Sequence, residues 1–209
     1  MSASATYAAI RRGRLVAILR ASDPAMLVAG AEALVEEGVT TLELPLTSPG
    51  ALDAITRAVD TLTDRAHIGA GTVRSVDDAR RAIDAGARFL VAPALDVAVV
   101  EHARAHDVAT LPGVMTPTEY DAARSAGAEM VKLFPAQTLG PAYLAHLRVP
   151  FPDLEAVPTA GIGLEDVDEW LSAGAVAVGV GSPLTGTFLE SGDLDGLRKR
   201  ARAWKAAVS

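Results

Sequence analysis

The chain contains no cysteine. That absence alone excludes disulfide frameworks, thiolate metal sites and cysteine nucleophiles. Aromatic residues are scarce too, at 4% against 50% apolar residues overall. The core therefore has to be built from Ala, Val, Leu and Ile, which suit helices packed closely on a parallel sheet. No stretch approaches ~18 uninterrupted apolar residues, the length that marks a membrane-spanning helix. Met1 to Arg14 has no apolar run of signal-peptide length; it reads instead as a short N-terminal helix. The formal net charge is −7, and no basic stripe interleaves with aromatics. Neither a membrane nor a nucleic-acid partner is expected, and a cytoplasmic location follows by elimination. The clusters Arg11, Arg12, Arg14 and Arg198, Lys199, Arg200, Arg202 read as solvated helix faces or snorkelling stems.

Short apolar runs alternate with longer amphipathic segments along the whole chain. The runs are Leu15–Leu19, Thr40–Leu44, His67–Ala70, Phe89–Ala92, Val108–Leu111, Met130–Phe134, Ala156–Pro158 and Val176–Val180. Helical spacing covers Pro24–Glu37, Ala51–Leu62, Val76–Ala85, Val97–His106, Pro117–Ala126, Glu165–Ala173 and the closing segment Leu194–Val208. Strands alternating with helices argue for βαβ units and a parallel sheet. Eight such units with no long polar linker predict one α/β domain over residues 1–209, folded as a single (β/α)8 TIM barrel. A doubly wound open sheet is the competing arrangement.

The punctuation fits this pattern. Gly86, Gly127 and Gly174 each follow an Ala at the end of a helical segment, where a helix C-terminus takes a residue at positive φ. Asp23, Ser48, Ser75 and Thr116 stand where helix N-caps are expected, three of them directly before proline at the first helical position.

Lysine is the most informative scarcity. Of 19 basic residues only Lys132, Lys199 and Lys205 are lysine, and two of these lie on the polar terminal helix. Lys132 sits in the apolar run instead. Side chains alternate along a strand, so with Val131 and Leu133 towards the helices, Met130, Lys132 and Phe134 face inward. A desolvated lysine loses charge and becomes a nucleophile for carbonyls; arginine cannot, because it stays protonated. In the second strand, Leu42 and Leu44 face outward and leave Glu43 inside, and charged residues are seldom buried unless paired or functional. A lysine nucleophile beside a carboxylate proton carrier is the minimum for class I aldol chemistry. The plainer readings are a buried Lys132–carboxylate pair held for packing, and Glu43 as a structural partner to Arg20.

Two glycine-containing turns, Pro158-Thr-Ala-Gly-Ile-Gly163 and Gly179-Val-Gly-Ser-Pro183, follow the seventh and eighth runs. Loops at those places form the usual phosphate site of barrels; simple turn geometry is the plainer reading. His102 and His106 share a helix face but lack a third ligand, so no metal site is expected. They read as exposed histidines, and so do His67 and His146. Trp170 reads as core or interface.

Six stretches together are similar to the 2-keto-3-deoxy-6-phosphogluconate and 6-phosphogalactonate aldolases, over nearly the whole chain. They are Val16-Ala-Ile-Leu-Arg20, Leu42-Glu-Leu-Pro-Leu46, Ile68-Gly-Ala-Gly-Thr-Val73, Leu111-Pro-Gly113, Val131-Lys-Leu-Phe-Pro135 and Pro158-Thr-Ala-Gly-Ile162. The resemblance implies a class I pyruvate aldolase without metal or cofactor, a homotrimer, acting on a small-molecule substrate that yields pyruvate and glyceraldehyde 3-phosphate. It implies Lys132 as the Schiff-base lysine and Glu43 as the acid/base. Thr72 and the Pro93 backbone region would hold the pyruvyl carboxylate, Phe134 would pack on the substrate, and Arg20 would lie at the mouth. Ala160, Gly161, Gly181 and Ser182 would hold the phosphate.

Two positions depart from the family pattern. Thr47 stands where the phosphogluconate branch carries arginine; Glu43–Pro49 and Gly140–Tyr143 look more like the galactonate branch. Ala160 stands where the family usually has glycine. A sugar-phosphate isomerase or epimerase, or a non-catalytic phosphate-ligand sensor, would use the same scaffold without needing Lys132 as nucleophile.

Overall fold

The computed structural model describes residues 2–209. Its strands are β1 Leu15–Ile18, β2 Thr41–Pro45, β3 His67–Gly71, β4 Phe89–Val91, β5 Ala109–Leu111, β6 Gly113–Val114, β7 Val131–Leu133, β8 Ala156–Pro158 and β9 Val178–Val180. All pairings within the sheets are parallel. The expected closed eight-stranded TIM barrel is not what these strands form. A curled six-stranded sheet, ordered β5-β4-β3-β2-β1-β9, faces a separate three-stranded sheet, β6-β7-β8.

The two seams differ in their makeup. At Pro112 the chain has no N–H to donate, while its carbonyl accepts from Lys132 N–H at 2.9 Å. The strand therefore changes partner there: β5 pairs with β4 and β6 with β7. At the other seam, β8 and β9 are joined through one isolated bridge, Thr159 with Gly179, and through the Val176 N–H, which donates to the Ala156 carbonyl at 3.0 Å.

Two apolar cores follow from the side-chain alternation. Leu15, Ala17, Leu42, Leu44, Ile68, Val131, Leu133, Val178 and Val180 pack in the outer core with the helices. Val16, Phe89, Val91, Leu111, Met130, Val157 and Ala177 form an inner cluster between the two sheets. Helix α1 (Ala3–Gly13) closes that inner cluster with Tyr7 and Ile10. The Tyr7 hydroxyl accepts from Thr110 N–H at 2.9 Å and donates to its carbonyl at 3.3 Å. Beside it His67, expected to be exposed, is buried against Thr6, whose hydroxyl is 3.1 Å from Nδ1. The histidine's place at the start of a buried strand, under α1, explains the difference.

Helices α2 (Pro24–Glu36), α3 (Ala51–Leu62), α4 (Val76–Asp84), α5 (Val97–Ala105) and α6 (Pro117–Ala126) lie close to their expected spans. Asp23, Ser75 and Thr116 are N-caps, and Thr116 forms a capping box with Glu119. Ser48 is not one. Gly50, in a left-handed conformation, caps α3, and the Ser48 hydroxyl is buried without a partner. The turn Leu46–Gly50 after β2 sets the helix start two residues later than the Ser-Pro pair suggests. Gly86, Gly127 and Gly174 take φ of +94°, +103° and +99° at helix ends. The short helices α7 (Ala136–Leu139), α8 (Pro141–Leu147), α9 (Val167–Ser172), α10 (Ser182–Thr185) and α11 (Phe188–Ser191) precede the closing α12 (Leu194–Ala207). Trp170 is buried on α9.

Candidate active site

Lys132 is the middle residue of β7, in register with Gly113 on β6 and Val157 on β8. Its neighbours Val131 and Leu133 belong to the outer core and Met130 to the inner cluster, so the amine points between the sheets, as its spacing requires. A Cβ on Gly113 would overlap the Pro93 carbonyl, so the absence of a side chain there lets the loop after β4 lie against the strand beside Lys132. The lysine is 9% exposed, and its Nζ lies 4.7 Å from the centre of the Phe134 ring. Burial pushes its pKa below the ordinary lysine range. Glu43 pulls the other way, and Arg20 adds to the lowering.

Glu43 occupies the middle of β2, in register with Ile18 on β1 and Gly69 on β3. It is 3% exposed. Burial raises its pKa above the carboxylate range, and the positive charges of Lys132 and Arg20 oppose that rise. A one-residue slip of β2 would turn this carboxylate into the helix layer and a leucine into its place. Burying Leu42 and Leu44 stabilises the register by roughly 1.5–3 kcal/mol each.

Both groups open onto one cavity of about 520 Å³, whose wall also includes Arg20, Thr72, Phe134, Ala160, Gly161, Gly181 and Ser182. Thr72 and Ala160 sit there at φ of +57° and +82°, left-handed values that cost non-glycine residues energy. Such strain clusters at functional sites. Among the described residues, no carbonyl accepts from the backbone N–H groups of Ala160, Gly161, Gly181 or Ser182. Four donors are thus left for an anion, or water, on the cavity wall beside β8 and β9. A buried amine of lowered pKa, a buried carboxylate of raised pKa and a donor-rich wall suit attack on a carbonyl, proton transfer and anion binding. No group of three His, Asp or Glu that could hold a metal is found among the described residues.

A family model for KDPG and KHG aldolase matches residues 7–199. The chain belongs to the KDPG and KHG aldolase family. Within this aldolase family, a probable 2-dehydro-3-deoxy-6-phosphogalactonate aldolase of Rhizobium meliloti (strain 1021) is 38% identical over 194 residues, covering 92% of this chain and 90% of the relative. The 2-dehydro-3-deoxy-6-phosphogalactonate aldolase of Escherichia coli (strain K12) is 33% identical, covering 81% and 83%. Among solved structures, the KDPG aldolase of Legionella pneumophila with pyruvate captured as a covalent carbinolamine superposes with a TM-score of 0.89 at 25% identity, covering 97% of this chain and 98% of that one. The resemblance read from the six sequence stretches is therefore borne out.

Of the aldolase residues expected from sequence, nine line the cavity and two do not. Thr47 is exposed on the turn after β2, and Pro93 lies behind Gly113. The wall also carries residues that sequence reasoning missed, among them Ile18, Thr159, Gly186 and Glu190. Ile18 and Thr159 were accessible by the period-2 rule, two residues from Val16 and Val157 on the inner face. Gly186 and Glu190 come from the short turns around α10 and α11, which leave no periodic signal.

Proposed function

We propose that the chain is a class I aldolase. Its reaction is cleavage of 2-dehydro-3-deoxy-6-phosphogluconate or its galactonate epimer to pyruvate and glyceraldehyde 3-phosphate, with 4-hydroxy-2-oxoglutarate as a further substrate. The observation that carries this is the pairing of Lys132 and Glu43 inside one cavity, each shifted towards its neutral form by burial. In this reading the neutral Lys132 amine attacks the C2 carbonyl, and Glu43 moves the proton that turns the carbinolamine into an iminium with loss of water. The iminium then accepts the electron pair of the C3–C4 bond as Glu43 takes the proton from the C4 hydroxyl. The aldehyde leaves, the enamine on Lys132 is protonated at C3, and water releases pyruvate.

Thr72 is assigned to the carboxylate end, Arg20 to the mouth and Phe134 to packing on the substrate. The N–H groups of Ala160, Gly161, Gly181 and Ser182, with the Ser182 hydroxyl, are assigned to the phosphate. The galactonate epimer is supported by the segments Glu43–Pro49 and Gly140–Tyr143 and by the two phosphogalactonate aldolase relatives. The homotrimer belongs to the same reading; oligomerisation, though not the number of subunits, is supported by a designed cage built by fusing symmetric oligomeric domains, which matches 92% of this chain and 71% of that one at 31% identity and a TM-score of 0.86. The enzyme would work in the cytoplasm, and no helix among the described residues is long and apolar enough to cross a membrane.

The test is pyruvate with borohydride, followed by peptide mass mapping. The adduct is expected on Lys132 and on neither Lys199 nor Lys205. An adduct elsewhere, or none, sinks the Schiff-base reading. The isomerase and sensor readings predict no adduct at all.

A further inference from the structure

The closing helix reaches into the cavity wall from behind. Arg200 on α12 donates from Nε to the Leu184 carbonyl at 2.9 Å and from Nη2 to the Thr185 carbonyl at 2.7 Å. One turn later Trp204 donates from Nε1 to the Pro183 carbonyl at 3.4 Å. Three consecutive carbonyls of α10 are therefore held by two side chains of a single distant helix. Their own helix cannot satisfy them. It has four residues, its last carbonyls have no partner further along the turn, and a helix of that length is not stable alone. The contact also needs Gly186: its φ is +55°, and a Cβ there would overlap the Arg200 guanidinium. Ser182, Pro183, Thr185 and Gly186 all line the cavity, so the clamped segment is itself part of the wall.

We propose that Arg200 is a positioning residue for the phosphate end of the substrate. It acts through α10, fixing where Gly181 and Ser182 present their N–H groups and hydroxyl. The cation suits the place on two counts. A guanidinium offers a planar fork that two adjacent carbonyls can share, and a positive charge at a helix C-terminus complements the carbonyl dipoles. Trp204, 2% exposed, anchors the same helix in the core, so the clamp is held rigid from behind. Arg200 is absent from the cavity wall while Lys132 and Glu43 are on it. Recognition of the tail is thus assigned to a side chain that does not meet the reacting carbons.

The inference rests on the aldolase reading, and its test separates the two. Arg200→Met keeps the apolar stem and removes the donors. It should raise KM for the phosphorylated sugar acid about tenfold, equivalent to 1.4 kcal/mol. The kcat, and the rate of pyruvate trapping on Lys132, should change by less than about twofold, the split expected when binding is lost and chemistry is kept. Arg200→Lys, which keeps the charge and can reach one carbonyl, should fall between. Trp204→Phe, which keeps a buried ring and loses only the Pro183 bond, should move KM in the same direction by less. It stands in should Arg200→Met fail to fold. Unchanged KM in the variants overturns the clamp and leaves the aldolase reading intact. Trapping and cleavage falling together by the same factor overturn it as well, because Arg200 would then support the whole fold. Failure of the wild-type protein to trap pyruvate overturns the aldolase reading and the clamp with it.

Discussion

The carboxylate of Glu43 fills the space that a side chain on Gly71 would need: a Cβ built at Gly71 overlaps the Glu43 carboxylate itself. The two residues lie on neighbouring parallel strands, Gly71 beside Pro45, two residues along from Glu43. The glycine of the third strand is therefore the seat of the Glu43 carboxylate, to which the proposed reaction assigns the acid/base role. Gly71→Ala should push the carboxylate from its place facing Lys132. Proton transfer by a positioned side chain contributes typically about 10²–10⁴-fold, so cleavage should fall by at least about 100-fold. Circular dichroism and borohydride trapping, alongside the steady-state rate, check this. Full activity in a folded Gly71→Ala protein would mean that the carboxylate position does not matter.

How much of this was legible beforehand depended on periodicity. The inward direction of Lys132 and Glu43 could be read because each is flanked by apolar residues that had to face the helices, and a period of two leaves one alternative. Thr72 was legible only through motif resemblance, since a left-handed Thr has no compositional signature, whereas the turns Pro158–Gly163 and Gly179–Pro183 could be read from their glycines and their place after the seventh and eighth runs. Closure of the sheet was over-read. Counting apolar runs cannot show that the chain changes partner at Pro112, nor that β8 and β9 share only an isolated bridge and not a ladder. His67 was misplaced because a lone polar residue at a strand end carries no sign of the helix that covers it. The Arg200 clamp was invisible, since it joins positions 15 and 16 residues apart through backbone carbonyls.

The strain at Ala160 gives a stability prediction. A left-handed conformation costs a non-glycine residue roughly 1–2 kcal/mol, offset in glycine by the greater freedom of its unfolded chain, about 0.5–1 kcal/mol. Ala160→Gly should stabilise the protein by about 0.5–1 kcal/mol. For a chain of this size 1 kcal/mol corresponds to a rise in Tm of about 2–4 °C. A calorimetric Tm that falls on this substitution would show that the alanine is well accommodated at φ +82°.

The opposed shifts at Lys132 and Glu43 set the pH dependence of adduct formation. Only the neutral amine attacks, so the trapping rate should rise with pH through a midpoint below the ordinary lysine value of 10.5. Glu43 is the group that holds the lysine pKa up against burial. Glu43→Gln should therefore move the midpoint lower still, even as it slows the proton-transfer steps. Trapping rates measured across pH in both proteins decide it; a midpoint that moves upward in Glu43→Gln would contradict the through-space coupling.

His67 couples stability to pH at the opposite end of the inner cluster. Burial, with Arg88 and Arg12 nearby, lowers its pKa below the ordinary 6.5. The unfolded chain then binds the proton more readily than the folded one. Stability should be fully present above about pH 6.5 and decline as pH falls below it. His67→Asn keeps an acceptor for Thr6 and removes the titration. Urea midpoints at pH 8 and pH 5 should drop further for the parent than for the variant. Equal drops would place the acid sensitivity elsewhere.

Helix α1 has a consequence for traffic through the enzyme. Tyr7 and Ile10 seal the inner cluster on one side, so Lys132 sits above a closed apolar floor. On the proposed chemistry, bond cleavage leaves pyruvate tethered to the lysine while the aldehyde is free. Departure is therefore sequential: the aldehyde leaves at bond cleavage, and pyruvate leaves only after the enamine is protonated at C3 and water adds to the iminium carbon. The same ordering, run backwards, makes pyruvate the compulsory first guest in synthesis, and the aldehyde the partner it waits for.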